Sequence, residues 1–235
     1  MNAPEQVKDM TTTHSRMQRV DPATVLGTSP VVAVLRAEHA LEYPPVIDAL
    51  VRGGVTAIEL TLSTAGVFEV LPALIEEFGD RASIGVGTVT NRAQAESLLE
   101  LGARFLVTPT MNLDVIAAAR AAGVPVFPGG LTPTELFSGW EAGASAVKLF
   151  PAATVGTGYI AQLRGPFPDI EVVPSGGVSV EDAPTWIASG AAAVSLGGPL
   201  LQDAFSGGDL SALTARARTL VAAVDVARTA RGARK

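Results

Sequence analysis

The chain has 235 residues, 48% of them hydrophobic, which is ample for a sizeable core; its net charge of −6, with no basic cluster inside the fold, argues against nucleic acid as a partner. It has no cysteine, which excludes disulfides, thiolate nucleophiles and sulfur-ligated metals and suits a cytoplasmic enzyme, and its two histidines, His14 and His39, are too few and too badly spaced for a histidine metal cluster. No apolar run approaches the roughly 20 residues that cross a bilayer, because glycine, proline and charges interrupt every stretch.

Residues 1–19 are polar and lack an apolar core, so they read as a flexible leader and not as a signal peptide. Residues 20–27 form an extra helix ahead of the first strand, suited to plug the lower mouth of a barrel. Eight short β-branched runs then recur at nearly even spacing, at 31–35, 57–60, 83–86, 105–107, 124–127, 146–150, 170–173 and 193–196. Between and after them lie segments with helical spacing at 41–52, 67–78, 92–101, 113–122, 133–142, 158–163, 181–189 and 210–228, many ending on a glycine such as Gly53, Gly79, Gly102 or Gly123. Strands alternating with helices imply a parallel sheet. Eight such units, with no Gly-x-Gly-x-x-Gly after the first strand, favour an α/β fold that is a single (β/α)8 TIM barrel over an open doubly wound sheet. That barrel is expected over 20–228, with a basic tail at 229–235.

In such barrels chemistry sits at the C-terminal ends of the strands. Of the 17 basic side chains only three are lysines, and Lys8 and Lys235 stand at the two ends, so Lys148 is the one lysine inside the fold. It sits in an otherwise apolar strand, Ala-Val-Lys-Leu-Phe-Pro (146–151). A guanidinium cannot deprotonate in a protein, whereas an amine stripped of water can, and a neutral amine adds to ketones to form a Schiff base. Glu59, in Ala-Ile-Glu-Leu-Thr (57–61), is the second titratable group facing the mouth. It reads either as a structural counter-ion to Lys148 or as the acid/base that shuttles protons through imine chemistry. Arg36, ending the first strand, reads as a surface arginine or as a clamp for a substrate carboxylate. Thr88 reads as a helix cap or as a second carboxylate ligand, with capping the stronger reading in isolation. Ser175-Gly176-Gly177 and Gly197-Gly198 follow the last two strands, where glycines let backbone N–H groups approach a phosphate, although tight turns alone would explain either pair.

With these residues assembled, the chain from about 31 to 201 resembles the 2-keto-3-deoxy-6-phosphogluconate (KDPG) aldolase / 4-hydroxy-2-oxoglutarate aldolase family of class I aldolases. The resemblance is carried by Val-Val-Ala-Val-Leu-Arg-Ala (31–37), Gly-Gly-Val-Thr-Ala-Ile-Glu-Leu-Thr-Leu (53–62), Ile-Gly-Val-Gly-Thr-Val (84–89) and Phe-Leu-Val-Thr-Pro (105–109). It continues in Pro-Gly-Gly-Leu-Thr-Pro-Thr-Glu (128–135), Val-Lys-Leu-Phe-Pro (147–151), Gly-Pro-Phe-Pro (165–168) and Val-Pro-Ser-Gly-Gly-Val (173–178). The resemblance implies Lys148 as the Schiff-base lysine, Glu59 as general acid/base, Thr88 and an arginine on the pyruvyl carboxylate, Pro109 and Phe150 shaping the pocket, and the glycine pairs on phosphate. It also implies a homotrimer that needs no metal and no cofactor.

Three positions depart from the family pattern. Ser63 replaces an arginine clamp, a role Arg36 is then expected to take; Thr110 follows Pro109 where a glycine is usual and would narrow the mouth; and Pro199 replaces a serine that touches phosphate, removing a hydroxyl and an N–H donor. The expected activity is cleavage of KDPG, an Entner–Doudoroff intermediate, to pyruvate and glyceraldehyde 3-phosphate through a lysine imine. The same chemistry on 2-keto-3-deoxy-6-phosphogalactonate or 4-hydroxy-2-oxoglutarate is the alternative. A metal-dependent epimerase would need strand-end histidine and aspartate ligands that this sequence lacks, and an inactive barrel acting as a binding protein has only Ser63 and Pro199 in its favour.

Overall fold

The computed structural model describes residues 19–27 and 29–233; most of the expected leader, His14, Thr28, Arg234 and Lys235 lie outside the described residues. A short helix α1 (Ala23–Leu26) precedes β1 (Val31–Leu35). There follow α2 (Tyr43–Arg52), β2 (Ala57–Thr61), α3 (Val67–Phe78), β3 (Ser83–Gly87), α4 (Arg92–Glu100), β4 (Leu106–Val107) and α5 (Leu113–Ala121). The second half runs β5 (Val126–Phe127), β6 (Gly129–Gly130), α6 (Pro133–Glu141), β7 (Val147–Leu149), α7 (Tyr159–Arg164), β8 (Val172–Pro174), α8 (Ala183–Ala188), β9 (Val194–Leu196), α9 (Gly198–Leu201) and α10 (Leu210–Gly232).

All strand pairs are parallel, as the alternation with helices requires. They form a six-stranded sheet in the order β5-β4-β3-β2-β1-β9 and a three-stranded sheet in the order β6-β7-β8. The expected fifth strand is thus two segments separated by Pro128. That residue has no N–H for the ladder, while its carbonyl accepts the Lys148 N–H at 2.8 Å. At the other seam β8 and β9 meet through a Ser175–Ser195 bridge and an Ala192 N–H to Val172 carbonyl bond of 2.8 Å.

Alternation along each strand splits the core into two layers. Ile58, Leu60, Ile84 and Val86 point outward and pack under the helices with Leu50, Leu71 and Leu98. Val32, Ala57, Phe105, Val107, Phe127, Ala146, Val173 and Ala193 point inward and form a separate cluster, joined by Val25 and Leu26 of α1. Phe105 and Phe127 meet edge to face there, with centroids 5.8 Å apart. This inner cluster is the floor on which the polar residues above it stand.

The last helix runs past the expected end at 228. The Arg231 guanidinium donates to the carbonyls of Ile187 (3.0 Å) and Ala191 (2.8 Å), so α10 is held against the end of α8 as far as Gly232. Arg228 pairs with Asp225 at 3.2 Å within the same helix. Residues 229–232 therefore continue α10.

Candidate active site

Glu59 and Lys148 rise from the inner floor. Glu59 is the middle residue of β2, its side chain 2% exposed, and Lys148 is the middle residue of β7, its side chain 11% exposed. Lys148 Nζ stands 3.8 Å from Glu59 Oε1. That is within ion-pair range and longer than a hydrogen bond, so the two groups are neighbours without being clamped to each other. Val32, Val107, Phe127 and Val173 line the space beneath the two groups. Burial in these apolar surroundings pushes the Glu59 carboxyl above the ordinary carboxylate range, and the charges of Lys148 and Arg36 pull it partly back.

Above the pair opens a cavity of about 640 Å³ at the C-terminal ends of the strands. Arg36 lines it from the end of β1, Thr88 from the end of β3 and Pro109 from beyond β4. Phe150 lines it two residues after Lys148, with its ring centroid 5.3 Å from Nζ. Ser175, Gly176 and Gly177 after β8, and Gly197 and Gly198 after β9, complete the wall. All eleven residues that the sequence reading gives a catalytic or binding role therefore line one cavity.

Local chemistry explains much of that wall. Gly176 and Gly177 have φ of 83° and 76°, a left-handed conformation that side chains resist. A Cβ at Gly176 would lie 2.8 Å from the Phe150 ring, and one at Gly177 would lie 2.5 Å from Ala153 Cβ. The N–H groups of Gly176 and Gly177 donate to no protein acceptor among the described residues. Donors arranged in this way suit an anion.

Thr88 differs from the capping reading. The cap of α4 is Asn91, whose side chain accepts the Gln94 N–H at 2.9 Å. Thr88 instead adopts φ of 64°, costly for a β-branched residue. Thr88 and Gln202 (φ 50°) are the non-glycine residues with positive φ among those described, and both line the cavity. Strained backbone of this kind persists where a site needs it.

A family model for KDPG and KHG aldolases matches residues 23–215. The chain belongs to the KDPG and KHG aldolase family. It is therefore an enzyme, a lyase of the aldolase kind. An Escherichia coli 2-dehydro-3-deoxy-6-phosphogalactonate aldolase is 37% identical over 172 residues, spanning 73% of this chain and 84% of the relative. A Dickeya dadantii 2-dehydro-3-deoxy-phosphogluconate aldolase is 36% identical over 196 residues, spanning 82% and 90%. Among solved structures, a Legionella pneumophila KDPG aldolase with pyruvate captured as a covalent carbinolamine superposes with a TM-score of 0.79 at 28% identity, covering 86% of this chain and 98% of that one.

The departures from the family pattern fall into place around the cavity. Ser63 does not line it and donates to Thr61 Oγ1 at 3.1 Å. Thr110, expected to narrow the mouth, does not line it either, whereas Pro199 does, in the first turn of α9. Sequence reasoning missed Ser195, Gln202 and Ser206, which also face the cavity, as does the strand-end residue Thr61. Strand parity was a usable signal for Ser195, which shares the inward face of Ala193, as Thr61 shares that of Glu59. Gln202 and Ser206 lie between α9 and α10, where no periodicity marks them. The Ser175 hydroxyl donates to Ser195 Oγ at 3.3 Å, linking the ends of β8 and β9 inside the cavity.

Proposed function

We propose that this chain is a class I aldolase that cleaves KDPG to pyruvate and glyceraldehyde 3-phosphate on a closed eight-position barrel spanning 20–228. The observation that carries the reading is the 3.8 Å separation of a lysine amine and a buried carboxyl group beneath a cavity edged by an arginine. The barrel reading counts β5 and β6 as one strand interrupted at Pro128, and it is supported by the Ser175–Ser195 bridge across the opposite seam.

In the reaction, Lys148 Nζ attacks the keto carbon to give a carbinolamine, and loss of water leaves a protonated imine. Glu59 takes the proton of the hydroxyl at carbon 4, directly or through water. The bond between carbons 3 and 4 then breaks, its electron pair moving into the imine to form an enamine, and glyceraldehyde 3-phosphate departs as the aldehyde. Protonation of the enamine at carbon 3 and hydrolysis of the resulting imine release pyruvate and restore the amine. Arg36 holds the carboxylate from the rim, with the Thr88 hydroxyl and N–H beside it. Pro109 and Phe150 bound the pyruvyl end, and the Ser175–Gly177 and Gly197-Gly198 backbones receive the phosphate. No metal or cofactor enters this scheme.

The alternatives are the same steps on 2-keto-3-deoxy-6-phosphogalactonate or 4-hydroxy-2-oxoglutarate. A coupled assay that reduces released pyruvate, run on all three compounds, tests the reading. It expects the highest kcat/KM on KDPG; a preference for either alternative reassigns the substrate, and no pyruvate from any of them refutes the proposal. A cytoplasmic homotrimer is the proposed assembly, supported by the family resemblance, and light scattering at three times the 24.0 kDa chain mass would agree with it.

A further inference from the structure

The chemistry above leaves one feature of β3 unused. β3 presents Gly85 and Gly87 on its inward face, with Ile84 and Val86 outward in the helix-covered core. Neither glycine has the positive φ that would require one, and glycine within a strand weakens it. Space is the remaining reason. A Cβ at Gly85 would overlap the Phe105 ring, lying 2.5 Å from both Cδ atoms. A Cβ at Gly87 would overlap Glu59 Oε1 and lie 2.5 Å from Cδ and 2.8 Å from Cγ. That oxygen is the one facing Lys148 Nζ.

The register says how the carboxyl group comes to be there. Glu59 pairs with Gly85, and Gly87 pairs with Thr61, two residues further on. The Phe105 ring occupies the space over Gly85, so the Glu59 side chain leans one step toward the strand end and lies over Gly87. We propose that Gly87 is a positioning residue for the reaction, its missing Cβ forming the slot that holds the Glu59 carboxyl group against Lys148. This rests on the acid/base reading of Glu59. It adds a requirement that neither Lys148 nor Glu59 carries by itself, because Gly87→Ala leaves both groups chemically intact and moves only one.

The test is a cycle of wild type, Gly87→Ala, Glu59→Gln and the double variant, each assayed for kcat on KDPG and for borohydride trapping of pyruvate on Lys148. A carboxyl group displaced by about 1 Å should lower kcat by roughly 10- to 100-fold in Gly87→Ala, with trapping retained. Added to Glu59→Gln, the same substitution should cost less than about threefold more, because the group it displaces no longer transfers a proton. Wild-type kcat in Gly87→Ala, or an equal loss in both backgrounds, would overturn the positioning role while leaving the acid/base reading standing. Wild-type kcat in Glu59→Gln would instead remove the acid/base reading and the positioning role with it. If Gly87→Ala gives no folded protein, Glu59→Ala combined with Gly87→Ala should fold, since the occupant of the slot is gone; failure of that pair too would place the need for glycine elsewhere and overturn the proposal.

Discussion

The two ends of the space lined by the strands are built on opposite rules, although the same strands supply both. Toward their N-terminal ends, Val32, Phe105, Phe127 and Val173 interdigitate beneath Val25 and Leu26 of α1. A few residues further along, the strands carry Arg36, Glu59, Thr88 and Lys148, with a buried carboxyl group held off its partner, a threonine in a left-handed conformation and glycines where side chains would collide. The first region is what packing alone would select. The second is expensive in stability, and it is where the proposed chemistry has its groups.

Substitutions should therefore divide by region, and the largest effect belongs to the upper one. Lys148→Arg keeps the charge and should abolish cleavage, because a guanidinium does not form the imine; measurable turnover in that variant would break the division at its centre. Glu59→Gln should lower kcat by roughly 10²- to 10⁴-fold, the usual span for a positioned acid/base, in a steady-state pyruvate assay. In the lower region, Phe105→Ala should cost about 3–5 kcal/mol in chemical denaturation while leaving kcat/KM of the folded fraction near wild type. Loss of activity without loss of stability there would show that the two regions are not separable.

Arg36→Ala comes next. Losing a charge-assisted pair with the substrate carboxylate should weaken kcat/KM by about 10- to 150-fold, or about 1.5–3 kcal/mol. Ser63→Arg in that background should restore part of it. A shift in melting temperature with unchanged pyruvate affinity would make Arg36 a structural residue. The smallest effect is on the pH dependence of stability. Because burial lets folded Glu59 keep its proton to higher pH than the unfolded chain does, folding takes up a proton between the ordinary carboxylate range and the raised value. Stability should fall as pH rises through that window, and Glu59→Gln should flatten the fall in denaturation midpoints taken across it.

The division also explains what could be read from the chain alone. The floor and the helices obey periodicity, so β1 and α3 lie where the pattern put them, and α1 lies within 20–27 with Val25 and Leu26 inward. Lys148 and Glu59 stood out because a charge in an apolar strand breaks the pattern. Where physics is not periodic the reading thins: Pro128 divides a strand by its missing N–H, Arg231 prolongs α10 through carbonyls 40 and 44 residues away in sequence, and Asn91 caps the helix that Thr88, taken in isolation, reads as capping. Gly87 is the extreme case. Its significance is a volume filled by a residue from the neighbouring strand, which no spacing within its own strand encodes.

The central claim is that Lys148 is the nucleophile, and borohydride reduction in the presence of pyruvate addresses it most directly. Mass spectrometry of the digested wild-type protein should find the reduced pyruvyl adduct on the peptide containing Lys148, with none in Lys148→Arg. An adduct on another residue, or no adduct in a protein that still cleaves KDPG, would contradict the account.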